Sequence, residues 1–266
     1  MRSPTLYIPH GGGPCFFMDP PPGAPHLWDR MGDYLRNLAT DLPERPKVLL
    51  VVSAHWETPG PTLNVAADPG MFYDYYGFPE HTYRLQYPAP GAPNLVPRVQ
   101  ALMADAGFDV DLDGARDYDH GVFIPLMLAF PEADVPILQL SLRQDLDPAA
   151  HLAIGRALAP LRNEGVLIIG SGMSFHNLRT LLGPQGDAQS EVFDAWLTQA
   201  ATAGDPAQRD LALSQWKQAP HAREAHPREE HLLPLMIAAG AAGTDLGRRT
   251  YSDHLGGKAV SAYRFG

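Results

Sequence analysis

Eleven histidines stand out in this chain of 266 residues, and three of them follow apolar runs of the kind that form buried strands. His10 follows TLYIP, His55 follows VLLVVSA and His176 follows VLIIGSGMSF. Glycine or serine accompanies each of the three, and glycine in particular lets backbone approach a ligand closely. Because neutral imidazole binds zinc and iron and also transfers protons near pH 7, the pattern predicts a metal site with acid-base chemistry.

Two further histidines precede apolar helical segments. His120 lies in RDYDHGVFIPL, and His231 lies in HPREEHLLPLMIAAGAAG. Histidines combined with a carboxylate and an open coordination position suit a non-haem Fe(II) oxygenase or a hydrolytic zinc enzyme. Glu230 can be such a ligand, but an acidic residue here also suits the positive N-terminus of a helix. Carboxylates can orient the imidazoles, and the sequence does not choose among Asp68, Asp74, Asp117 and Asp119.

The remaining histidines lack this context. Four of them stand among polar residues, where we expect solvated side chains: His26, His151, His221 and His254. Two others, His81 and His226, are weaker candidates for the lining of a pocket. The chain has no G-x-S-x-G motif, and Cys15 lacks the surroundings of a nucleophile, so covalent acyl transfer is not expected.

Apolar runs and helical periodicity predict the elements that must position these histidines. Four runs bounded by turn residues are predicted to be strands buried on both faces of a sheet, at residues 5–8, 47–53, 135–142 and 165–170. Apolar residues at helical spacing predict helices within 28–38, 95–103, 152–161, 188–203, 206–217 and 228–241, and residues 258–265 predict a closing strand.

Strands that alternate with helices favour an α/β fold with a mostly parallel central sheet flanked by helices. We find no linker or internal repeat, so residues 1–266 are interpreted as a single domain. In such sheets a ligand binds beyond the carboxyl ends of the strands. The metal site is therefore expected at that mouth, where His10, His55 and His176 would meet.

Composition narrows the choice of partners. Thirty acidic and twenty basic residues give a net charge of −10, and a field of that sign repels the phosphates of nucleic acid. A single cysteine excludes an intramolecular disulfide. No apolar run approaches the roughly 18 residues of a membrane span, and the N-terminus lacks the apolar core of a signal peptide. We expect a cytoplasmic protein that binds neither nucleic acid nor membrane.

Seven blocks of sequence occur together in collinear order between residue 5 and residue 266. They are HGGGP from His10, SAHW around His55, FYDYYGFPEHTYRLQYPAPG from Phe72, DHG around His120, GSG through HNL at 170–178, EH at 230–231 with LLPL, and the terminal SAYRFG. In combination they resemble the class III extradiol ring-cleavage dioxygenases, in the branch similar to DOPA 4,5-dioxygenase. HGGGP differs from other members, so the pocket near residues 11–18 is expected to differ as well.

The resemblance implies one mononuclear non-haem metal at the mouth of the sheet and catechol-type substrates that O2 opens beside the two hydroxyl groups. His10, His55 and His231 match the family's metal-binding histidines. His176 matches a histidine that acts as an acid-base residue or a fourth ligand, and His120 matches a second histidine of the pocket.

Several choices within this resemblance stay open. Related protocatechuate-cleaving enzymes have a glutamate ligand, so Glu230 is held in reserve behind His231. Fe(II) is the expected metal in function and Zn(II) the alternative, and a homodimer is kept as a hypothesis. The rival functions are a zinc hydrolase and a non-enzymatic metal-binding protein on the same scaffold. Aromatic walls for the substrate, or core packing, are predicted for Tyr73, Tyr75, Tyr76 and Phe78.

Overall fold

The computed structural model describes residues 2–181, 183 and 185–266. Its strands are β1 (Thr5–Pro9), β2 (Val48–Thr58), β3 (Thr62–Asn64), β4 (Asp111–Asp113), β5 (Ile137–Arg143), β6 (Val166–Gly172), β7 (Gly247–Leu255) and β8 (Lys258–Phe265). Its α-helices are α1 (Asp29–Asn37), α2 (Val96–Asp105), α3 (His120–Ala129), α4 (Pro148–Leu158), α5 (Asp187–Ala201), α6 (Pro206–Ser214), α7 (Ala222–Ala225) and α8 (Leu233–Ala242). Across these ranges, no helix is long and apolar enough to cross a membrane.

The described strands form one eight-stranded sheet in the order β4-β3-β5-β2-β6-β1-β8-β7. Its centre, β5-β2-β6-β1, is parallel throughout, whereas β8 runs antiparallel to β1 and β7 antiparallel to β8. These central strands are buried on both faces. Their sequences indicated this, because apolar and polar residues do not alternate along them. The predicted α/β fold with a mostly parallel sheet is confirmed.

Most of the predicted elements are present, with three corrections. The predicted strand at 47–53 continues to Thr58, so His55 lies within β2 rather than beyond it. The predicted helix at 228–241 begins only at Leu233, and the chain before it forms turns. The predicted helix at 206–217 ends at Ser214 and is followed by a short 3-10 turn. β3, β4 and β7 were not predicted, because β3 and β4 have only three residues each and β7 is a largely polar strand at the edge of the sheet.

Helix α8 covers the sheet at β6, beside the segment that carries His231. All ten of its residues are buried, and it packs against α4 on one side and β6 on the other. A Cβ atom on Gly172, the last residue of β6, would lie 2.1 Å from the carbonyl oxygen of His231. Glycine at this position therefore lets the segment that leads into α8 lie directly on the strand.

Candidate metal centre

Three imidazoles from distant parts of the sequence meet at the carboxyl edge of the parallel strands. His10 directly follows β1, His55 lies in the last part of β2, and His231 lies two residues before the start of α8. One ring nitrogen from each lies within 4.8 Å of the other two, and Nε2 of His55 lies 3.1 Å from Nε2 of His10. Because metal–nitrogen bonds of about 2.0–2.1 Å force ligand atoms this close together, the three rings can hold one ion.

A serine of β6 fixes the tautomer of His10. The hydroxyl of Ser171 donates a hydrogen bond of 2.5 Å to the carbonyl oxygen of Gly121. Its oxygen is therefore left to accept the hydrogen bond of 3.1 Å from Nδ1 of His10. Nδ1 carries the proton in this arrangement, and Nε2 presents a lone pair towards His55. A cation placed beside both Nε2 atoms would bind that lone pair.

His231 is held by its backbone and by its neighbour in sequence. Its carbonyl oxygen accepts hydrogen bonds from the hydroxyl of Tyr7 at 2.7 Å and from the backbone nitrogen of Met173 at 3.1 Å. Its Nδ1 lies 3.0 Å from Oε1 of Glu230. An ionised carboxylate only accepts hydrogen bonds, so Nδ1 of His231 is the donor and Nε2 is free for a metal.

His176 shares the same carboxylate. Its ring stacks on that of His231, with centroids 3.3 Å apart and planes 14° apart, and its Nδ1 lies 3.4 Å from Oε1 of Glu230. The backbone nitrogen of His176 donates to the carbonyl oxygen of Ala225 at 3.0 Å, which fixes the loop that follows β6. The arrangement leaves Nε2 of His176 available for a proton or a ligand.

Asp74 plays the corresponding part on the opposite side of the site. Its Oδ1 accepts from both the backbone nitrogen of His120, at 2.9 Å, and Nδ1 of the same residue, at 2.8 Å. Its Oδ2 lies 3.6 Å from Nδ1 of His55. The rings of His55 and His120 have centroids 4.0 Å apart. Of the four aspartates considered from the sequence, Asp74 is therefore the one that orients imidazoles directly.

Burial keeps the metal-site imidazoles neutral. It holds the pKa of His10 and of His231 well below the usual imidazole value, and neighbouring imidazoles lower both further. Burial, followed by the charge of His120, lowers the pKa of His55 to about 4. Burial alone would raise the pKa of Glu230, but its hydrogen bonds with His176 and His231 outweigh burial and hold that pKa well below its usual range. Near pH 7 the site thus offers uncharged imidazoles and an anionic carboxylate behind them.

These features fit a mononuclear non-haem metal ion. The donor set has neutral nitrogens in front, and a hydroxyl or a carboxylate lies against the outer nitrogen of each ring of His10, His55 and His231. Such outer partners are typical of metal-binding histidines, because they fix ring orientation and raise basicity. Imidazole suits both iron and zinc, so the donor set does not choose between the two metals.

The imidazoles open onto a cavity of about 240 Å³. It is lined by His10, His55, His120, His176 and His231, by the backbone of Gly11, Gly12 and Gly13, and by Trp28, Phe78, Met173, Phe175, Leu178, Leu181 and Leu255. Gly11 has a φ of +81°, and a side chain there would meet the Sγ atom of Cys15. Glycine at position 11 is therefore required both by the backbone conformation and by the close approach of Cys15.

Comparisons with known proteins identify the family. Residues 4–265 match the family described as the catalytic LigB subunit of aromatic ring-opening dioxygenase. The chain belongs to the LigB family. A dioxygenase of Hapsidospora irregularis, tasH, is 37% identical over 99% of this chain and 86% of its own length. The 4,5-DOPA dioxygenase extradiol of Beta vulgaris is 45% identical over 75% of each chain, and that of Escherichia coli K12 is 33% identical over 90% of this chain and 85% of its own.

A solved structure agrees with this assignment. The crystal structure of an uncharacterised Escherichia coli K12 protein covers the whole of both chains with a TM-score of 0.77 and 28% sequence identity. The resemblance noted in the sequence is confirmed, and this LigB-family chain is an extradiol aromatic ring-opening dioxygenase.

The structure brings all five predicted site histidines of the LigB-family chain to one cavity, namely His10, His55, His120, His176 and His231. Of the four aromatic residues predicted as walls of the pocket or as core, one lines the cavity. Phe78 lines the cavity, whereas the hydroxyls of Tyr73 and Tyr75 donate to the carbonyl oxygens of Leu85 and Thr82. The ring of Tyr76 is 91% exposed. Tyr73 and Tyr75 therefore pack behind the site, and Tyr76 faces solvent.

One expectation for the other histidines is wrong, and neither of the two weaker candidates lines the cavity. His151 is buried rather than solvated, and its Nε2 accepts from the backbone nitrogen of Arg143 at 3.1 Å. His226 is buried away from the cavity, where its Nε2 donates to the carbonyl oxygen of Ser174 at 2.9 Å. His81 is exposed and does not line the cavity. The surface histidines pair with carboxylates: His26 with Asp29, His221 with Glu224 and His254 with Glu191.

Sequence reasoning missed Arg116 and Ser53, because their contacts with His55 and Asp119 span 61 and 66 residues. Arg116 donates to the carbonyl oxygen of His55 at 3.2 Å and to Oδ2 of Asp119 at 3.0 Å, and its guanidinium lies 5.3 Å from the ring centre of Trp56. Asp119 also accepts from Ser53 at 2.6 Å. The DHG block gave the one sequence signal, since it places Asp119 beside a predicted site histidine.

Proposed function

We propose that this chain opens the ring of a catechol-type aromatic with O2 by extradiol cleavage, using Fe(II) held by His10, His55 and His231. The observation that carries the proposal is the convergence of three neutral imidazoles, each backed by a hydroxyl or a carboxylate, on one apolar cavity. Held by these three imidazoles, iron would supply the redox chemistry that lets O2 react with the aromatic ring. In the overall reaction both oxygen atoms enter the product, and one ring carbon–carbon bond beside the diol breaks.

His176 is assigned the role of proton acceptor. A catechol must lose hydroxyl protons as it binds a metal, and a neutral imidazole with a free nitrogen can accept one. Glu230 lies on the Nδ1 side of His176, so Nε2 is the atom that receives the proton and later returns it. The negative charge of Glu230 stabilises the imidazolium that forms in between.

His120 is assigned the role of a second polar group that contacts the substrate. Asp74 accepts from its Nδ1 at 2.8 Å, which fixes the ring and leaves Nε2 facing the cavity. Nε2 can accept a hydrogen bond from a substrate hydroxyl, or donate one to oxygen when it is protonated. The apolar lining opposite the histidines positions the aromatic ring and excludes bulk water from it.

Anaerobic reconstitution with Fe(II), followed by a panel of catechols and measurement of O2 uptake, tests the proposal. We expect one O2 to be consumed per ring opened, with loss of the catechol absorption band. His10→Ala should lose both metal and activity, whereas His26→Ala, on the surface beside Asp29, should retain them. Turnover that requires Zn(II) and proceeds without O2 would overturn the proposal in favour of a hydrolase.

A further inference from the structure

The side chains that line the cavity are of two kinds. Five are imidazoles, and the others are apolar. We define the apolar wall as Trp28, Phe78, Phe175, Leu178, Leu181 and Leu255. We propose that this wall selects catechols whose ring carries an uncharged apolar substituent, and that it discriminates against substituents ending in a carboxylate or an ammonium group. This inference rests on the proposed function, because it takes the diol to face the histidines.

No charged side chain of the described residues, imidazoles aside, lines the cavity. The carboxylates nearby are engaged, since Asp74 accepts from His120 and Glu230 from His231. A charged substituent in this cavity would therefore lose water without gaining an ionic partner.

Two cations near the site are engaged with other groups. Arg228 pairs with Glu57 at 2.5 Å and with Glu230 at 3.3 Å. Arg116 donates to Asp119 and to the backbone of His55. Neither arginine lines the cavity. The net charge of −10 adds a field that disfavours the approach of anions.

The exposure of Leu178 is the most direct sign that an apolar ligand covers the wall. The residue lines the cavity and yet is 70% exposed, so its apolar surface is covered neither by the core nor by another described element. An apolar substituent that reaches from the histidines towards the cavity mouth would cover it. Each methylene moved from water into apolar surroundings strengthens binding about fourfold.

A preference for apolar substituents would separate this chain from the relatives named for DOPA. The side chain on the ring of DOPA carries both an ammonium and a carboxylate group. The HGGGP run lies on the same cavity, and Gly12 leaves the ring of Trp28 3.4 Å from where its Cβ would lie. The glycine run and the apolar wall thus shape one space for a flat ring with a neutral extension.

The test compares four ligands that share the diol: 4-propylcatechol, 3-(3,4-dihydroxyphenyl)propionate, dopamine and DOPA. The first three have side chains of nearly equal length that end in methyl, carboxylate and ammonium. Dissociation constants are measured by calorimetry on anaerobic Fe(II)-loaded protein, where no turnover occurs. We expect propylcatechol to bind at least tenfold more tightly than each charged analogue. Equal or tighter binding of any charged analogue would overturn the inference.

Two variants test whether the apolar wall causes the preference for an apolar substituent. Leu178→Arg should narrow the ratio of propylcatechol to propionate affinity at least fivefold. Leu211→Arg, which changes a leucine that is 57% exposed and lies off the cavity, should leave the ratio unchanged. An unchanged ratio in Leu178→Arg would show that Leu178 does not select the substituent and would overturn the role of the wall.

Admission of O2 to the same samples separates this inference from the proposed function. Tight binding of propylcatechol without ring opening would refute the proposed function and leave the binding preference standing. Ring opening with tighter binding of the charged analogues would refute the preference alone. Failure of all four ligands to bind would contradict both.

Discussion

The imidazole of His176 lies face to face with that of His231, at a centroid separation of 3.3 Å. The two rings share one acceptor, because Oε1 of Glu230 lies 3.0 Å from Nδ1 of His231 and 3.4 Å from Nδ1 of His176. A single carboxylate thus orients a proposed metal ligand and the proposed proton acceptor together. Change at Glu230 should therefore affect metal affinity and proton transfer at once.

Replacement of Glu230 by glutamine should weaken metal binding by about 10- to 100-fold, the usual effect of losing an outer partner of a metal-binding histidine. The amide cannot supply the negative charge that favours His231 as donor and stabilises protonated His176. Competition with a chelator measures the affinity. Glu224→Gln is the control, since Glu224 pairs with His221 on the surface, and an equal effect in both variants would contradict this role of Glu230.

Replacement of His176 by alanine should lower turnover by about 10²- to 10⁴-fold, the range typical of a lost acid-base group. Metal content should stay near that of the unchanged protein, because His10, His55 and His231 remain. Metal analysis and O2 uptake on the same samples provide the two readings. A fall in metal content that parallels the fall in activity would instead make His176 a fourth ligand.

The sequence predicted the central fold and the site histidines because both depend on local signals. Apolar runs followed by His10 and His176 identify strand ends, and parallel strands bring such ends to one edge. His231 was singled out by its place before an apolar helix, and the family resemblance assigned it as a metal ligand. Its exact support, the close approach of its carbonyl oxygen to Gly172, depends on two segments about sixty residues apart that no local pattern connects.

The failures have physical reasons of the same kind. His151 was predicted to be solvated, yet it caps the end of β5 by accepting from the backbone of Arg143, a contact that forms only when α4 folds back against the end of that strand. Asp74 was indistinguishable from the other aspartates, because only tertiary folding brings its loop against His120. The tyrosines at 73 and 75 were ambiguous between wall and core, and their carbonyl partners place them behind the site.

Replacement of Gly172 by alanine should displace His231. The added Cβ would lie 2.1 Å from its carbonyl oxygen, so the segment leading into α8 must move. We expect a loss of about 1–3 kcal/mol in the free energy of unfolding, as for other overpacked positions, together with weaker metal binding. Chemical unfolding and metal titration provide the measurements. Gly204→Ala is the matched control, because nothing lies within 4 Å of a Cβ there; equal effects would refute the argument.

His226 is a buried histidine that lies outside the cavity. Burial lowers the pKa of His226 to about 4, below the roughly 6.5 expected for the unfolded chain. Between these values the unfolded state binds the proton and the folded state does not, so folding loses stability as pH falls from 7 towards 4. From pH 7 to pH 5 this loss amounts to about 2 kcal/mol for a shift of this size.

His226→Gln should remove that pH dependence while keeping a donor for the carbonyl oxygen of Ser174. We expect the variant to be less stable than the unchanged protein at pH 7, because the amide fits poorly between the rings of Phe193 and Trp216. Its deficit should shrink or reverse at pH 5. Urea unfolding of the metal-free proteins at both pH values measures the difference, and His10, His55 and His231 cancel because both proteins contain them. A stability difference that stays constant between pH 7 and pH 5 would show that His226 does not contribute to acid sensitivity.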